Sequence, residues 1–389
     1  MDIDHILFAL GEDRAGHSGA VIPPIYQTTN FCFPDIQSMR EGLAREMDAP
    51  FYTRGHNPTV ATLGKKIAAL AGADEALIFA SGSAAIAAAV MSQVKAGDHI
   101  VCVQRPYSWT NKLLSRLLVR FGVEPTFVDG REISDWEEAR RPNTKVFMLE
   151  SPNSQTFELQ DLRGVAAVAR TNGITTVLDN SYCTMLNQPA ISMGIDITVH
   201  SASKYLNGHG DVIAGVICTS RELAVQIFEG EYMTLGGIIS PHDAALMLRG
   251  LRSLPLRLDH IARSTPKVVE FLENHPKVKA VYYPFGATFT QNELARRQMK
   301  QPGGQFSIEI DAPDLASCEQ FCNALNRFVM ACSWGGFESL IFPACVLYDS
   351  QNYGETSLPW NFIRFYIGLE SPDFLIEDLR QALDQLPGS

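Results

Sequence analysis

The strongest constraint on the fold is an alternation of short apolar runs with segments of helical character between about residues 60 and 220. Five apolar runs have the length of buried strands: 76–80, 99–103, 145–149, 174–178 and 195–199. Segments with helical spacing or composition stand between them, at 84–91, 111–121 and 161–170. Strands that alternate with helices form βαβ units, in which parallel strands are covered by helices. The sequence therefore predicts an α/β domain with a mostly parallel sheet.

The order of elements changes near residue 250. Helices are predicted at 256–274, 315–328 and 374–386, and strands at 279–283, 306–310 and 362–367. This order is typical of a second, smaller α+β domain. The first 55 residues lack sustained periodicity and carry turn signals such as Pro23-Pro24, which indicates an extended N-terminal arm. The predicted organisation is an arm (1–55), an α/β domain (56–250) and a C-terminal α+β domain (251–389).

Charge and hydropathy exclude several classes of protein. Among 389 residues, 32 are Lys or Arg and 43 are Asp or Glu, which gives a formal net charge of −11. Without a basic run, the chain lacks the clustered cations that bind nucleic acid or an anionic membrane surface. Its first residues are acidic where a signal peptide is basic, and no apolar run approaches the ~20 residues of a membrane span. We therefore expect a cytoplasmic protein that binds neither nucleic acid nor membrane.

The eight cysteines are dispersed along the chain. Disulfide scaffolds concentrate cysteine in short secreted chains, unlike this one. Cys318 and Cys322 are four residues apart, but no second pair has the spacing of zinc ligands. We interpret the cysteines as thiols of the core or of helix faces, and we predict no metal site.

Polar residues follow three of the predicted strands, at the edge where parallel sheets bind ligands. Ser81-Gly82-Ser83 follows the first strand and opens a helix, where backbone N–H groups can bind a phosphate. Asp179 follows the fourth strand and Lys204 the fifth. Pyridoxal 5'-phosphate needs a phosphate site, a lysine amine for its aldehyde and a carboxylate for its ring nitrogen. Ser201 and Ser203, on a stretch predicted to be extended, are expected to direct both hydroxyls toward the phosphate.

Each of these features has a more common explanation when it stands alone. Many turns between a strand and a helix are rich in Ser and Gly for steric reasons. An Asp at the end of a strand usually caps a turn, and a Lys in such a loop is usually solvated. Their placement at successive strand ends, taken together, favours the cofactor site.

The stretch SASKYLNGHGD, which contains Lys204, resembles the lysine signature of the Cys/Met-metabolism (transsulfuration) enzymes, with Ser203 where Thr is usual. These enzymes are fold-type I pyridoxal-phosphate enzymes, and the resemblance covers nearly the whole chain. It implies that Lys204 carries the cofactor and acts as the catalytic base. It also implies that Gly82 and Ser83 belong to the phosphate turn, with Ser83 where Met is common.

Three further segments resemble the family in the same order. In the stretch FYTRGHNPT, the resemblance implies that Tyr52 and Arg54 bind the phosphate in a neighbouring subunit's site. Tyr107 stands where the family has the ring that stacks on the cofactor, and it is a candidate catalytic acid or base. In FIRFYIGLE, Arg364 stands where the family binds the substrate α-carboxylate. Because sites would be shared between subunits, we expect a homo-oligomer, specifically a homotetramer.

The resemblance leaves the reaction open, because the family catalyses β-elimination, γ-elimination and γ-replacement. The stretch ESPNSQT lacks the usual Asn-Pro pair, as in bacterial cystathionine β-lyases, so Asn153 or Ser154 would replace the usual Asn near the cofactor. Ser333 and Trp334 also match the β-lyase form, in which Trp stands where γ-enzymes usually have Leu. Cys332, however, stands where γ-enzymes tend to have Glu and β-lyases Tyr, and the stretch NPT is closer to the γ-enzymes.

From these features we expect a carbon–sulfur β-lyase that converts cystathionine, or a related cysteine S-conjugate, into pyruvate, ammonia and a thiol. Its small sulfur amino-acid substrate is expected to contact Arg364, Ser333, Trp334 and Tyr52. One alternative is a γ-enzyme, either a cystathionine γ-synthase or a methionine/homocysteine γ-lyase. More remote alternatives are an aminotransferase and a pyridoxal-phosphate-binding regulatory protein without turnover.

Overall fold

All five predicted strands of the α/β region lie in one seven-stranded sheet of the computed structural model, which describes residues 1–348, 350 and 357–387. The strands are β1 (Glu75–Phe79), β2 (His99–Val103), β3 (Glu124–Val128), β4 (Thr144–Glu150), β5 (Thr175–Asp179), β6 (Ile197–Ser201) and β7 (Gly215–Thr219). Their order is β1-β7-β6-β5-β4-β2-β3. Only the pairs that include β7 are antiparallel. The expected mostly parallel sheet is confirmed.

Two strands, β3 and β7, were not among the predicted ones. β3 lies at the edge of the sheet, where Glu124 and Pro125 interrupt the apolar pattern. By contrast, β2 is buried along its whole length and therefore has a continuous apolar sequence. The sheet packs on a core that includes Val101, Phe147 and Val177.

Helices cover this sheet and also form part of the predicted arm. They are α1 (Ile3–Phe8), α2 (Ile36–Ala44), α3 (Pro58–Ala71), α4 (Gly82–Met91), α5 (Ser108–Lys112), α6 (Ile133–Ala139), α7 (Leu162–Thr171), α8 (Thr184–Asn187), α9 (Arg221–Ile227), α10 (Met233–Leu235) and α11 (Pro241–Arg252). The helix predicted at 111–121 is irregular, because α5 continues into a π-type turn (Leu113–Leu117) and a 3-10 turn (Leu118–Phe121).

The start of the arm is fastened to α3 by Lys66, whose side chain is buried. Its Nζ donates to the carbonyl oxygens of Ile6 (2.8 Å) and Leu7 (3.2 Å), which are left without helical partners at the end of α1. The same Nζ lies 3.2 Å from the carboxylate of Glu12, which also pairs with Arg252 at 3.1 Å. Burial lowers the pKa of Lys66, and the bond to Glu12 opposes that shift.

The C-terminal region contains a five-stranded sheet. Its strands are β8 (Val278–Tyr282), β9 (Gln305–Ile310), β10 (Val329–Met330), β11 (Leu340–Pro343) and β12 (Phe362–Tyr366), in the order β10-β11-β12-β9-β8. Its helices are α12 (Leu254–Glu273), α13 (Asn292–Gln298), α14 (Leu315–Ala324) and α15 (Pro372–Asp384). The predicted helix 315–328 ends early, since the carboxylate of Asp378 accepts the backbone N–H groups of Asn326 and Arg327.

The chain divides into two compact units. The first consists of Met1–Ser151, Gln160–Asn207 and Asp211–Leu254, and therefore includes the predicted arm. The second consists of the described part of Pro255–Ser389 together with two short segments from earlier in the chain, Pro152–Leu159 and Gly208–Gly210. None of the helices in the described residues is both long and apolar enough to cross a membrane.

Candidate active site

The first unit brings Asp179 and Lys204 to neighbouring strand ends. Asp179 is the last residue of β5, and Ser201 is the last residue of the adjacent strand β6. Lys204 lies in the turn that follows β6, and its Nζ is 3.4 Å from the Oγ of Ser201. A carboxylate, an amine and a hydroxyl thus lie at or just after the ends of two adjacent strands. Their role in binding a cofactor stays a prediction.

The carboxyl group of Asp179 is held in a buried network. Its Oδ1 accepts the backbone N–H of Ser181 at 3.0 Å, and the Ser181 hydroxyl accepts the backbone N–H of Ser201 at 2.6 Å. Burial raises the pKa of Asp179, while the hydrogen bonds from Ser181 and the charge of Lys204 lower it. A buried carboxylate of this kind favours a cationic partner, such as a protonated ring nitrogen. Sequence reasoning did not identify Ser181.

The turn between β1 and α4 is closely packed against the ends of β6 and β7. Ser81 caps α4, and its Oγ accepts the backbone N–H of Ala84 at 3.1 Å. A Cβ atom on Gly82 would lie 2.9 Å from the Cβ of Ser201, and one on Gly215 would lie 2.1 Å from the carbonyl oxygen of Ser81. Both positions therefore need glycine. The backbone N–H groups that open α4, at Gly82 and Ser83, suit a phosphate.

Ser203 is placed differently from the prediction. Residues 202–207 form turns, so Ser203 does not continue an extended strand from Ser201. Its Oγ accepts the backbone N–H of Ala214 at 2.9 Å and donates to the carbonyl oxygen of Ala214 at 3.3 Å. The expectation of an extended stretch was wrong, because the returning chain at Ala214 supplies hydrogen bonds that favour the turn. A phosphate contact of Ser203 stays a prediction.

Tyr107 is the N-cap residue of α5, after β2. Its backbone N–H donates to Oε2 of Glu150 at 2.6 Å, and Glu150 is a buried residue at the end of β4. This bond fixes the backbone that presents the ring, and the tyrosine is 38% exposed. Stacking of that ring on the cofactor stays a prediction. No sequence pattern indicates the support from Glu150, which is 43 residues away.

Tyr52 and Arg54 lie together in the arm. Tyr52 forms an isolated antiparallel bridge with Asn30, and the guanidinium of Arg54 lies 5.5 Å from the centre of the Tyr52 ring. Tyr52 is 41% exposed. The exposure leaves this pair accessible to another molecule, but its role in a neighbouring subunit stays a prediction.

The predicted substrate-binding residues Arg364, Ser333 and Trp334 belong to the second unit. Arg364 lies in β12, with its guanidinium 5.4 Å from the centre of the Phe342 ring. Ser333 is exposed and has a positive φ of 80°, which marks a tight bend before Trp334. Their contacts with substrate stay predictions.

The segment 152–159, also in the second unit, bears on the choice between Asn153 and Ser154. Oδ1 of Asn153 accepts the backbone N–H groups of Thr156 (3.2 Å) and Phe157 (2.9 Å), and its Nδ2 donates to Glu158. Both ends of the Asn153 amide are thus engaged in the local turn. Which of Asn153 and Ser154 replaces the usual Asn near the cofactor stays open.

The residues of the first unit fit pyridoxal 5'-phosphate. The opening turn of α4 offers backbone donors to a phosphate and has no room for a Cβ at Gly82. Asp179 is a buried carboxylate suited to the ring nitrogen, and Lys204 supplies the amine for the aldehyde.

Comparison with known proteins gives the same assignment. The family model described as Cys/Met metabolism PLP-dependent enzyme, where PLP is pyridoxal 5'-phosphate, matches residues 6–384. An L-methionine gamma-lyase of Pseudomonas putida is 38% identical over 378 residues, which cover 96% of this chain and 95% of the relative. A cystathionine gamma-lyase of Bacillus subtilis (strain 168) is 35% identical over 374 residues, or 95% and 96% of the two chains.

A third relative is named for another reaction. The L-alanine/L-glutamate racemase of Wolbachia pipientis wMel is 32% identical over 403 residues, which cover 100% of this chain and 98% of the relative. The three names differ in reaction but share one family. The predicted resemblance, fold type and cofactor are therefore confirmed: the chain belongs to the Cys/Met-metabolism family of pyridoxal-phosphate-dependent enzymes.

Proposed function

We propose that this protein is a carbon–sulfur lyase that eliminates the γ-substituent of a sulfur amino acid of the methionine type. The main support is the similarity to methionine and cystathionine gamma-lyases, which extends over at least 95% of the chain. The sequence features alone favoured β-elimination, and no relative named above is a β-lyase. We therefore place γ-elimination first and keep β-elimination as the second candidate.

The residue at position 332 supports a substrate without a distal ammonium group. Cys332 stands where family resemblance leads us to expect a Glu in many γ-enzymes. A thiol offers no fixed negative charge for the distal amino group of cystathionine, whereas a short apolar thioether needs none. This chemistry favours methionine or homocysteine over cystathionine.

When bound, the cofactor would supply an electron sink for the negative charge that develops when a proton leaves Cα of the substrate. Asp179 holds the proton on the ring nitrogen that makes this sink effective. Lys204 removes the proton from Cα, and its flexible stem also allows it to move a proton at Cβ. The Tyr107 hydroxyl protonates the departing sulfur, and Arg364 binds the α-carboxylate through its planar guanidinium.

A product assay tests this proposal. The cofactor-loaded protein is incubated with L-methionine, L-homocysteine or L-cystathionine, and Lys204→Ala serves as the control. We expect 2-oxobutyrate with a thiol and ammonia from methionine, and no product from the control. Pyruvate with homocysteine from cystathionine would establish the second candidate, for which Trp334 is the supporting feature.

Three other outcomes would contradict both candidates. Loss of optical rotation without release of a thiol would mean that the proton returns to Cα, as in a racemase. A keto acid formed only in the presence of a second keto acid would indicate an aminotransferase. Cofactor binding without any turnover would support a regulatory role.

We also propose that the active protein is a homo-oligomer. The arm exposes more than half of the surface of Val21, Ile22, Ile36 and Leu43. A second copy of this chain would remove these exposed apolar side chains from water. Light scattering should give the mass of a dimer or tetramer, and Ile22→Asp should shift it toward the monomer. A monomer with full activity would contradict the proposal.

A further inference from the structure

Three buried cysteines converge in the second unit, and the proposed reaction uses none of them. Cys318 and Cys322 lie one turn apart on α14, and Cys345 lies in the 3-10 turn Ala344–Leu347. Their sulfur atoms all lie within 4.8 Å of one another. The residues are 0%, 3% and 6% exposed, respectively. The sequence showed only the four-residue spacing of Cys318 and Cys322, from which no metal site was predicted, because Cys345 is brought to them by the fold.

The three thiols form a group of soft ligands. The Sγ of Cys318 lies 3.5 Å from the carbonyl oxygen of Trp360. A metal–sulfur bond is about 2.3 Å, so three sulfurs bound to one ion stand at most roughly 4 Å apart. That separation lies within the span of this group.

The number and charge of the sulfur ligands determine which thiophilic ion suits this group. No fourth His, Cys, Asp or Glu in the part of the chain that the structure describes completes the set, whereas structural zinc requires four ligands. The net charge of the bound site also matters. Three thiolates carry three negative charges. A monovalent or divalent ion would therefore leave a net negative charge in a buried, apolar region, which is unfavourable.

We propose that Cys318, Cys322 and Cys345 form a three-sulfur site for a trivalent thiophilic ion, with arsenic(III) as its representative. Arsenous acid, As(OH)₃, reacts with three thiols to give one As(SR)₃ centre and three molecules of water. Three As–O bonds and three S–H bonds break, three As–S bonds form, and no oxidant or reductant is needed. The product carries no net charge, which suits the burial of the site.

Binding would tie α14 to the 3-10 turn of Cys345. An ion that binds only the folded state stabilises it by mass action. We therefore expect arsenite to raise the unfolding temperature of the protein, independently of its catalytic activity.

The test uses the cofactor-loaded protein reduced with a phosphine, because dithiols would compete for arsenic. Arsenite is added just below the unfolding temperature, so that local opening admits it to the buried thiols. Native mass spectrometry counts arsenic per chain, and X-ray absorption counts sulfur neighbours. We expect one arsenic per chain with three sulfur neighbours. Cys322→Ala and Cys345→Ala should each weaken binding at least about tenfold, the effect of a 1.4 kcal/mol loss.

Cys218→Ala is the matched control, because Cys218 is a buried thiol of the first unit outside this group. It should bind arsenic as the unchanged protein does. Retention of the cofactor absorbance by all variants would show that they fold. Absence of binding, two or fewer sulfur neighbours, or equal binding by Cys345→Ala would overturn the proposal. Tighter binding of Cu(I) or Zn²⁺ than of arsenite by the same thiols would overturn its charge argument.

Discussion

The packing of Gly82 against Ser201 makes Gly82→Ala a sharp test of the phosphate turn. The added Cβ would lie 2.9 Å from the Cβ, 3.0 Å from the Cα and 3.1 Å from the Oγ of Ser201. Ordinary contacts begin near 3.4 Å. The start of α4 or Ser201 must therefore move, and overpacking of this kind costs about 1–3 kcal/mol.

That cost must appear either in the stability of the cofactor-free protein or in its affinity for the cofactor. If Ser201 moves freely in the cofactor-free state, the whole cost is transferred to binding. The dissociation constant for pyridoxal phosphate then rises about 5- to 140-fold, at 1.4 kcal/mol for each factor of ten. An absorbance titration measures this constant. Denaturant unfolding of the cofactor-free protein measures the part of the cost that appears as lost stability.

Gly230→Ala is the control, since a Cβ at Gly230 meets no atom within 4 Å apart from its chain neighbours and the local helix backbone. It should leave both quantities within about 0.5 kcal/mol of the original protein. If Gly82→Ala also changes neither stability nor cofactor affinity, the account of a closely packed phosphate turn is refuted.

Three further substitutions test other parts of the account. Burial raises the pKa of Asp179 in the folded, cofactor-free protein. The free energy of unfolding should therefore fall as pH rises from about 4, the pKa of an unfolded Asp, through the folded pKa. Asp179→Asn should flatten that decline in the denaturation midpoint, and an unchanged slope would contradict the burial effect. Arg364→Lys keeps the positive charge but loses the planar guanidinium that binds a carboxylate through two hydrogen bonds. KM should rise roughly 10- to 100-fold with a smaller change in kcat. An unchanged KM would exclude a contact between Arg364 and the substrate carboxylate. Lys66→Met leaves the carbonyls of α1 without a donor and should lower the free energy of unfolding by at least about 2 kcal/mol. Lys65 is the exposed neighbour, so Lys65→Met should change the free energy of unfolding little. Equal losses in the two variants would count against a buried anchor at Lys66.

The main features of the first unit follow from local sequence patterns. Continuous apolar runs mark the buried parallel strands, and the residues at the end of β5 and just after β6 are fixed at the sheet edge by the strands themselves. For this reason Asp179 and Lys204 could be placed together before the structure was known. Strand β3 was missed because an edge strand with a Pro and a Glu has no such run.

Contacts between distant parts of the chain were not predictable in this way. The turn at Ser203 depends on Ala214, and the backbone of Tyr107 depends on Glu150, 43 residues away. Cys345 joins Cys318 only because α14 and a later turn meet in the fold. The two residues of such a contact are far apart in the chain, and no sequence pattern links them. A single sequence therefore does not indicate that they meet.

Borohydride reduction of the cofactor-loaded protein, followed by peptide mass spectrometry, tests the central claim most directly. The reduction makes the linkage between cofactor and lysine permanent, so the modified peptide identifies the lysine. We predict modification at Lys204, and its loss in Lys204→Ala. Modification of another lysine, or persistence of the label in Lys204→Ala, would contradict the assignment of the active site.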